Sequence, residues 1–141
     1  METQGHFAPR TETAASAQFD DLALVAKTVT KEIAEAGTDT SGGYQALVEE
    51  SVIETAQQTL FASLLEVHVG SVDEYEAWLT DHDSLEASLA GTETVPWRAW
   101  HPVWPRDQVT AVSYQNSPEA AIATVRRQAF GQHYRAILEL A

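Results

Sequence analysis

The chain has 141 residues with 21 acidic and 8 basic side chains, which gives a formal net charge of −13. Hydrophobic residues make up 44% and cysteine is absent, so the composition is globular and excludes disulfides, thiolate metal ligands and cysteine nucleophiles. No apolar run reaches the roughly 18 residues that span a bilayer. Because the N-terminus is polar and argues against a signal peptide, we expect one cytoplasmic domain over residues 1–141 with no membrane association.

The acidic residues are spread along the chain and are not concentrated in a tail. They run from Glu2 to Glu139, and Lys27 and Lys31 are the only lysines. Such a diffuse acidic surface suits high KCl, because at about 1 M ionic strength the screening length falls to roughly 3 Å and self-repulsion weakens. We therefore expect a protein adapted to molar KCl; the alternative is an ordinary acidic mesophilic protein.

The N-terminal half predicts a helical hairpin. Residues 1–13 are polar and are expected to be irregular. Apolar residues from Phe19 to Ile33 recur every three or four positions, which predicts an amphipathic helix over about 14–36. A turn cluster at 38–43 and a second helix over about 44–60 follow.

The pattern then changes to short strands. Strands are predicted at 65–69, 85–89, 97–103 and 109–114, and Pro102 either confines the third to a sheet edge or breaks it. Ser71 and Glu74 form a capping box that begins a short helix ending near Thr80. Ser117 and Pro118 begin a helix to about residue 138. The fold class is α+β: an N-terminal helical hairpin, a small antiparallel sheet of about four strands, a short helix after the first strand, and a long C-terminal helix.

Three segments carry a family resemblance. They are Gly5–Pro9, Leu60–Val67 and Arg126–Gly131. Together they resemble a family of small uncharacterised proteins, a domain of unknown function, from halophilic archaea. The resemblance covers almost the whole chain and implies a haloarchaeal, cytoplasmic, single-domain protein. It implies no catalytic residue and no cofactor.

The most unusual segment combines tryptophan, arginine and proline. Three of the four tryptophans lie between residues 97 and 104. If this segment is exposed, tryptophan beside arginine is typical of a protein-contact hot spot or a base-stacking surface. If it is buried, the tryptophans fill the core and the arginines stack on them. The candidate contact residues are Trp97, Arg98, Trp100, Trp104 and Arg106.

The histidines and the last helix offer two alternative sites. Asp81 and Asp83 flank His82, and a ligand site formed by His82, His101 and His133 is one alternative, although no metal-binding spacing is present. Arg126, Arg127 and Arg135 on the last helix are the other, as a phosphate or nucleic-acid site. Cations near a helix C-terminus also complement the helix dipole, and the net charge of −13 opposes nucleic-acid binding.

No motif fixes a reaction or a cofactor. The leading hypothesis is a non-enzymatic interaction or accessory protein with an unknown protein partner or self-association. The alternatives are a small-molecule or metal-binding protein, or a minor enzyme, with its site at the histidines, and a nucleic-acid-binding protein acting through the arginine helix.

Overall fold

The computed structural model describes the backbone of residues 1–37 and 50–140 and the side chains of residues 1–33 and 50–140. The strands are β1 (Glu2–Gln4), β2 (Val67–Ser71), β3 (Glu86–Ala90), β4 (Trp97–Val103) and β5 (Gln108–Tyr114). The helices are α1 (Glu12–Asp21), α2 (Ala23–Gly37), α3 (Glu50–Ser63), α4 (Val72–Asp81), α5 (Pro118–Ala129) and the short α6 (Arg135–Ile137). A 3₁₀ turn at Trp104–Arg106 and a π-helical turn at Phe130–Tyr134 complete the described elements. The α+β fold class is confirmed.

The long helix predicted over 14–36 is divided at Leu22. Thr11 caps α1 by accepting a hydrogen bond from the Ala14 N–H at 3.0 Å. Leu22 and Ala26 are buried, whereas Ile33 is 60% exposed, so only the first half of the predicted stripe faces the core. Helix α2 packs against α3, as expected of the hairpin. The predicted turn at 38–43 and the start of the second helix lie outside the described residues.

Within the described residues, the sheet has five strands in the order β1-β2-β4-β5-β3. Neighbouring strands are antiparallel except β3 and β5, which are parallel. The prediction of about four antiparallel strands is therefore wrong in number and in one orientation. The predicted irregular N-terminus is wrong for Glu2–Gln4, which pairs with Val67–Val69 of β2, whereas residues 5–11 form neither a helix nor a strand.

Strand β4 is the central strand, so the edge position predicted for residues 97–103 is wrong. The pairing of β4 with β2 ends at Trp100, opposite His68. Pro102 lies two residues beyond that point and pairs only with Val109 of β5. Up to Trp100, β4 pairs with strands on both sides, whereas beyond Trp100 it pairs only with β5. The end of the strand is therefore a local sheet edge, where a proline is tolerated.

Both faces of the sheet are covered. Helix α5 packs on one face over a cluster that includes Val69, Ala99, Val112, Ile122 and Val125. Helix α4 packs on the other face, which buries Trp100 together with Tyr75, Leu85, Val109 and Ala111. Beside the sheet, a third cluster centred on Phe61 joins α1, α3 and the C-terminal turns.

The C-terminal helix begins as predicted. Ser117 accepts a hydrogen bond from the Ala120 N–H, and Pro118 occupies the first turn. The predicted single helix is interrupted by the π-helical turn, which directs Phe130 and Tyr134 into the core. None of the helices in the described parts of the chain is long and apolar enough to cross a bilayer.

Candidate functional site

A polar cleft of about 410 Å³ opens on the α4 side of the sheet. The segment after β1, the start of β2, the end of α4 and the end of β4 form its walls. We call it the histidine–tryptophan cleft. Its principal lining side chains are His6, Arg10, Glu66, His68, Trp78, His82 and Trp104.

Strand alternation places Glu66 and His68 together in this cleft. They are two residues apart at the start of β2, so their side chains point to the same face. Glu66 Oε1 lies 3.6 Å from His68 Nε2, and the Thr3 hydroxyl lies 2.8 Å from Nδ1. Burial lowers the pKa of His68, and the Glu66 carboxylate opposes that shift. His68 is therefore held as a neutral imidazole with both ring nitrogens near polar partners.

The end of α4 supplies Trp78 and His82. The two rings stack with centroids 4.0 Å apart and planes 21° from parallel. His82 Nδ1 lies 2.7 Å from the Trp78 carbonyl oxygen, which can only accept, so Nδ1 carries the proton. In the neutral ring the lone pair is then on Nε2, which is the nitrogen able to accept a proton or a hydrogen bond.

Arg10 provides the positive charge of the cleft. Its guanidinium carbon lies 3.9 Å from the centroid of the Trp104 ring, a cation–π distance. A guanidinium stacked in this way keeps its in-plane N–H groups available for a carboxylate or phosphate. Within the described residues, Arg10 forms no ion pair, and Gln18 Oε1 in the same cleft has no hydrogen-bond partner.

The three histidines that were predicted from the sequence to form one ligand site lie apart in the structure. His82 lines the cleft, whereas His101 is buried on the opposite face of β4 and contacts the Tyr134 hydroxyl at 2.7 Å. His133 lies in the π-helical turn and does not line the cleft. The three therefore do not form one site. Sequence reasoning missed His6 and His68, although the alternation of Glu66 and His68 was visible.

The tryptophan segment is mostly core. Trp100 is fully buried and Arg98 is 2% exposed, so neither is accessible to a partner in this fold. Arg98 donates to the carbonyl oxygens of Glu93, Val95 and Trp97, and so stabilises the loop before β4. Trp97 is 42% exposed at one end of β4, and Arg106 is exposed just beyond the other end. The five residues do not form one contact surface.

The arginine face predicted on the last helix is present. Arg126, Arg127 and Arg135 line a second cleft, between α3 and the C-terminal helix, and Gly131 lies among them. This second cleft is called the arginine cleft below. It does not share any lining residue with the histidine–tryptophan cleft.

Comparison with known proteins places the chain in a family but assigns no activity. In the described parts of the chain, no group of three or more His, Asp or Glu side chains is arranged to hold a metal ion. No curated protein and no solved structure matches the sequence significantly. One family model matches residues 6–135, which confirms the expectation of an uncharacterised domain covering nearly the whole chain. The chain belongs to the family described as "Family of unknown function (DUF5809)".

Proposed function

We propose that this protein binds a small anionic molecule in the histidine–tryptophan cleft. The supporting observation is that three imidazoles and one guanidinium line the same cleft as two indole rings, in a chain of net charge −13. These groups belong to His6, His68, His82, Arg10, Trp78 and Trp104. Among the described residues, Glu66 is the one carboxylate that lines the cleft, and His68 lies against it. Arg10 and the imidazoles supply N–H donors, which favour an anion in the cleft, while Gln18 Oε1 remains as an acceptor.

The contacts also indicate what else the ligand carries. Arg10 on Trp104 presents N–H groups in a fixed plane, which suits a carboxylate. Gln18 Oε1 has no donor among the described residues, so a hydroxyl or amino group on the ligand would satisfy it. The proposed ligand class is therefore a small hydroxy acid or amino acid, bound beside the Trp78 and Trp104 rings.

Tryptophan fluorescence tests this proposal directly, because two of the four tryptophans line the cleft. A thermal-shift screen with hydroxy acids and amino acids is followed by fluorescence titration of each hit. We expect Arg10→Gln and His82→Gln to weaken binding by about tenfold or more, as loss of a charged or buried hydrogen bond does. Arg127→Gln, which lies in the arginine cleft, is the matched control and leaves affinity unchanged. Hits that are insensitive to both cleft variants contradict the proposal.

A protein interaction is the second candidate, and it now rests on a smaller surface. Trp97 is 42% exposed, which is unusual for the largest apolar side chain and marks a place where a partner would bury it. Trp97→Ala should reduce the amount of partner protein that co-purifies with the chain, or its self-association, without unfolding the protein. If capture is unchanged, Trp97 is only a surface residue.

We further propose that the protein works in the cytoplasm of a halophilic archaeon, in molar KCl. Lysine is limited to two residues, and none of the described Asp or Glu side chains is buried. The described carboxylates are therefore all on the surface, where salt screening removes their mutual repulsion.

A further inference from the structure

The arginine cleft differs in charge from the rest of this acidic protein. It has a volume of about 580 Å³ and lies between α3 and the C-terminal helix. Three of the six arginines of the chain line it, and none of its lining residues in the described part of the chain is Asp or Glu, although acidic residues outnumber basic ones by 21 to 8. Such a concentration of positive charge is the electrostatic signature of an anion site.

Helix stability does not account for this arrangement. Cations near the C-terminus of α5 complement its dipole, which explains their position along that helix. The dipole does not explain why, among the described residues that line the cleft, α3 contributes Thr55, Thr59 and Ser63 and no carboxylate. The hydroxyls of Thr55 and Ser63 already donate to the carbonyl oxygens of Ser51 and Leu60. Thr59 forms no hydrogen bond among the described residues, so its hydroxyl is the donor that a bound anion can use.

The arginines have distinct roles. Arg126 donates from Nε to the Leu65 carbonyl oxygen at 2.9 Å, which ties α5 to the chain before β2. The guanidinium of Arg135 lies 5.4 Å from the centroid of Phe130. Arg127 is exposed and, within the described residues, forms no ion pair or hydrogen bond. Arg127 is therefore the side chain available to a ligand.

The shape of the cleft indicates the rest of the ligand. Ala62, Ala123 and Phe130 give it an apolar floor. Gly131 lies at its wall, and a Cβ built there would meet nothing within 4 Å, so the glycine leaves open space for an occupant. An apolar floor with a few polar groups at the rim is the usual design of a small-molecule site.

We propose that the arginine cleft binds a small phosphorylated molecule, with its phosphate at Arg127 and its apolar body against Phe130. Guanidinium groups bind phosphate oxygens in a bidentate way, and the Thr59 hydroxyl adds a donor. A nucleic-acid strand fits less well, because the basic residues form a compact group and not a track, and the net charge of −13 repels a polyanion. This inference is independent of the histidine–tryptophan cleft.

Binding of AMP, glucose phosphate and inorganic phosphate to the full-length protein tests the proposal, by isothermal titration calorimetry in about 1 M KCl. We expect one saturable site for at least one of these probes. Arg127→Gln should weaken binding by about tenfold or more, as expected for a lost charge-assisted hydrogen bond. Gly131→Phe should abolish it by placing a ring in the cleft, since Gly131 lines the cleft and a Cβ there meets no atom within 4 Å.

Two controls separate loss of the site from loss of the fold. Gly131→Ala adds one methyl group in open space and should retain binding, and Arg10→Gln changes only the other cleft. Thermal unfolding of each variant confirms that it is folded. No binding of any probe, or binding that Arg127→Gln and Gly131→Phe do not alter, overturns the proposal. Tighter binding of a single-stranded oligonucleotide than of every small probe overturns it in favour of a nucleic-acid site.

Discussion

Acidification is expected to destabilise the fold through His101, which is buried in its neutral form. Its Nδ1 donates to the Glu66 carbonyl oxygen, and its Nε2 accepts from the Tyr134 hydroxyl at 2.7 Å. Burial is the main cause that lowers the pKa of His101 from 6.5 to about 4. The folded protein therefore resists protonation at this position, whereas the unfolded chain does not.

The sign and size of the effect follow from these two pKa values. Between pH 6.5 and about 4 the unfolded state binds more protons than the folded state, so the free energy of unfolding decreases as the pH falls. The contribution of His101 is complete above pH 6.5. A tenfold change in proton affinity is worth about 1.4 kcal/mol, so complete titration of His101 removes about 3 kcal/mol of stability.

Denaturant titrations followed by tryptophan fluorescence measure this contribution, from neutral pH down to about pH 4.5. His101→Gln should be less stable than the wild type at pH 7, and the difference should shrink by about 2 kcal/mol at the acidic end. The pKa values of His68 and His133 are also lowered, mainly by burial, but these residues titrate in both proteins and cancel in the difference. A difference that is independent of pH would refute the reasoning. Tyr134→Phe is a control that should lose stability while keeping the pH dependence.

Three further predictions concern stability. Gly5→Ala should lower the free energy of unfolding, measured by chemical denaturation, by roughly 1–3 kcal/mol. The reason is that Gly5 has φ +105° and a Cβ there would lie 2.5 Å from the Leu65 carbonyl oxygen. The matched control Gly131→Ala places its Cβ in open space and should leave the free energy of unfolding unchanged. Ser71→Ala should cost about 1 kcal/mol by removing the capping box with Glu74, and an unchanged midpoint in denaturant would contradict that role. The melting temperature should rise between low salt and about 2 M KCl, since screening removes the repulsion of the net −13 charge, and a flat response in calorimetry would exclude the salt adaptation.

The features that the sequence predicted correctly depend on neighbouring residues. The capping box of Ser71 and Glu74 has both of its hydrogen bonds, and Ser117 caps the last helix as expected. These signals need side chains only three positions apart, so local spacing is sufficient to find them. The N-terminal ends of α4 and α5 were therefore predictable, whereas the end of α5 at Ala129 was not.

The features that the sequence missed depend on pairing between distant segments. Strand β1 has three exposed residues and no apolar pattern, and it exists because Thr3 pairs with His68. The central position of β4 also depends on its partners, since Pro102 favours an edge unless the pairing with β2 stops before it. Local patterns do not specify strand order.

The same limitation applies to the candidate site. His82 was selected from its acidic neighbours, but it lies in the cleft because α4 ends there and Trp78 stacks on it. His6 reaches the cleft because its backbone N–H donates to the Leu64 carbonyl oxygen at 2.8 Å, across almost half the chain. Grouping His101 with His82 failed because β4 directs His101 to the opposite face of the sheet from Trp100.

The positions of the arginines connect the acidic surface with the proposed anion binding. Arg98 and Arg126 bind backbone carbonyl oxygens, and Arg10 stacks on an indole, so these charges do not neutralise surface carboxylates. In low salt, the net charge of −13 would repel an approaching anion before it reached either cleft. At about 1 M salt the screening length is roughly 3 Å, so the long-range repulsion disappears while contacts at hydrogen-bond distance remain. A strongly acidic protein can therefore bind anions through a few local arginines, provided that it works in concentrated salt.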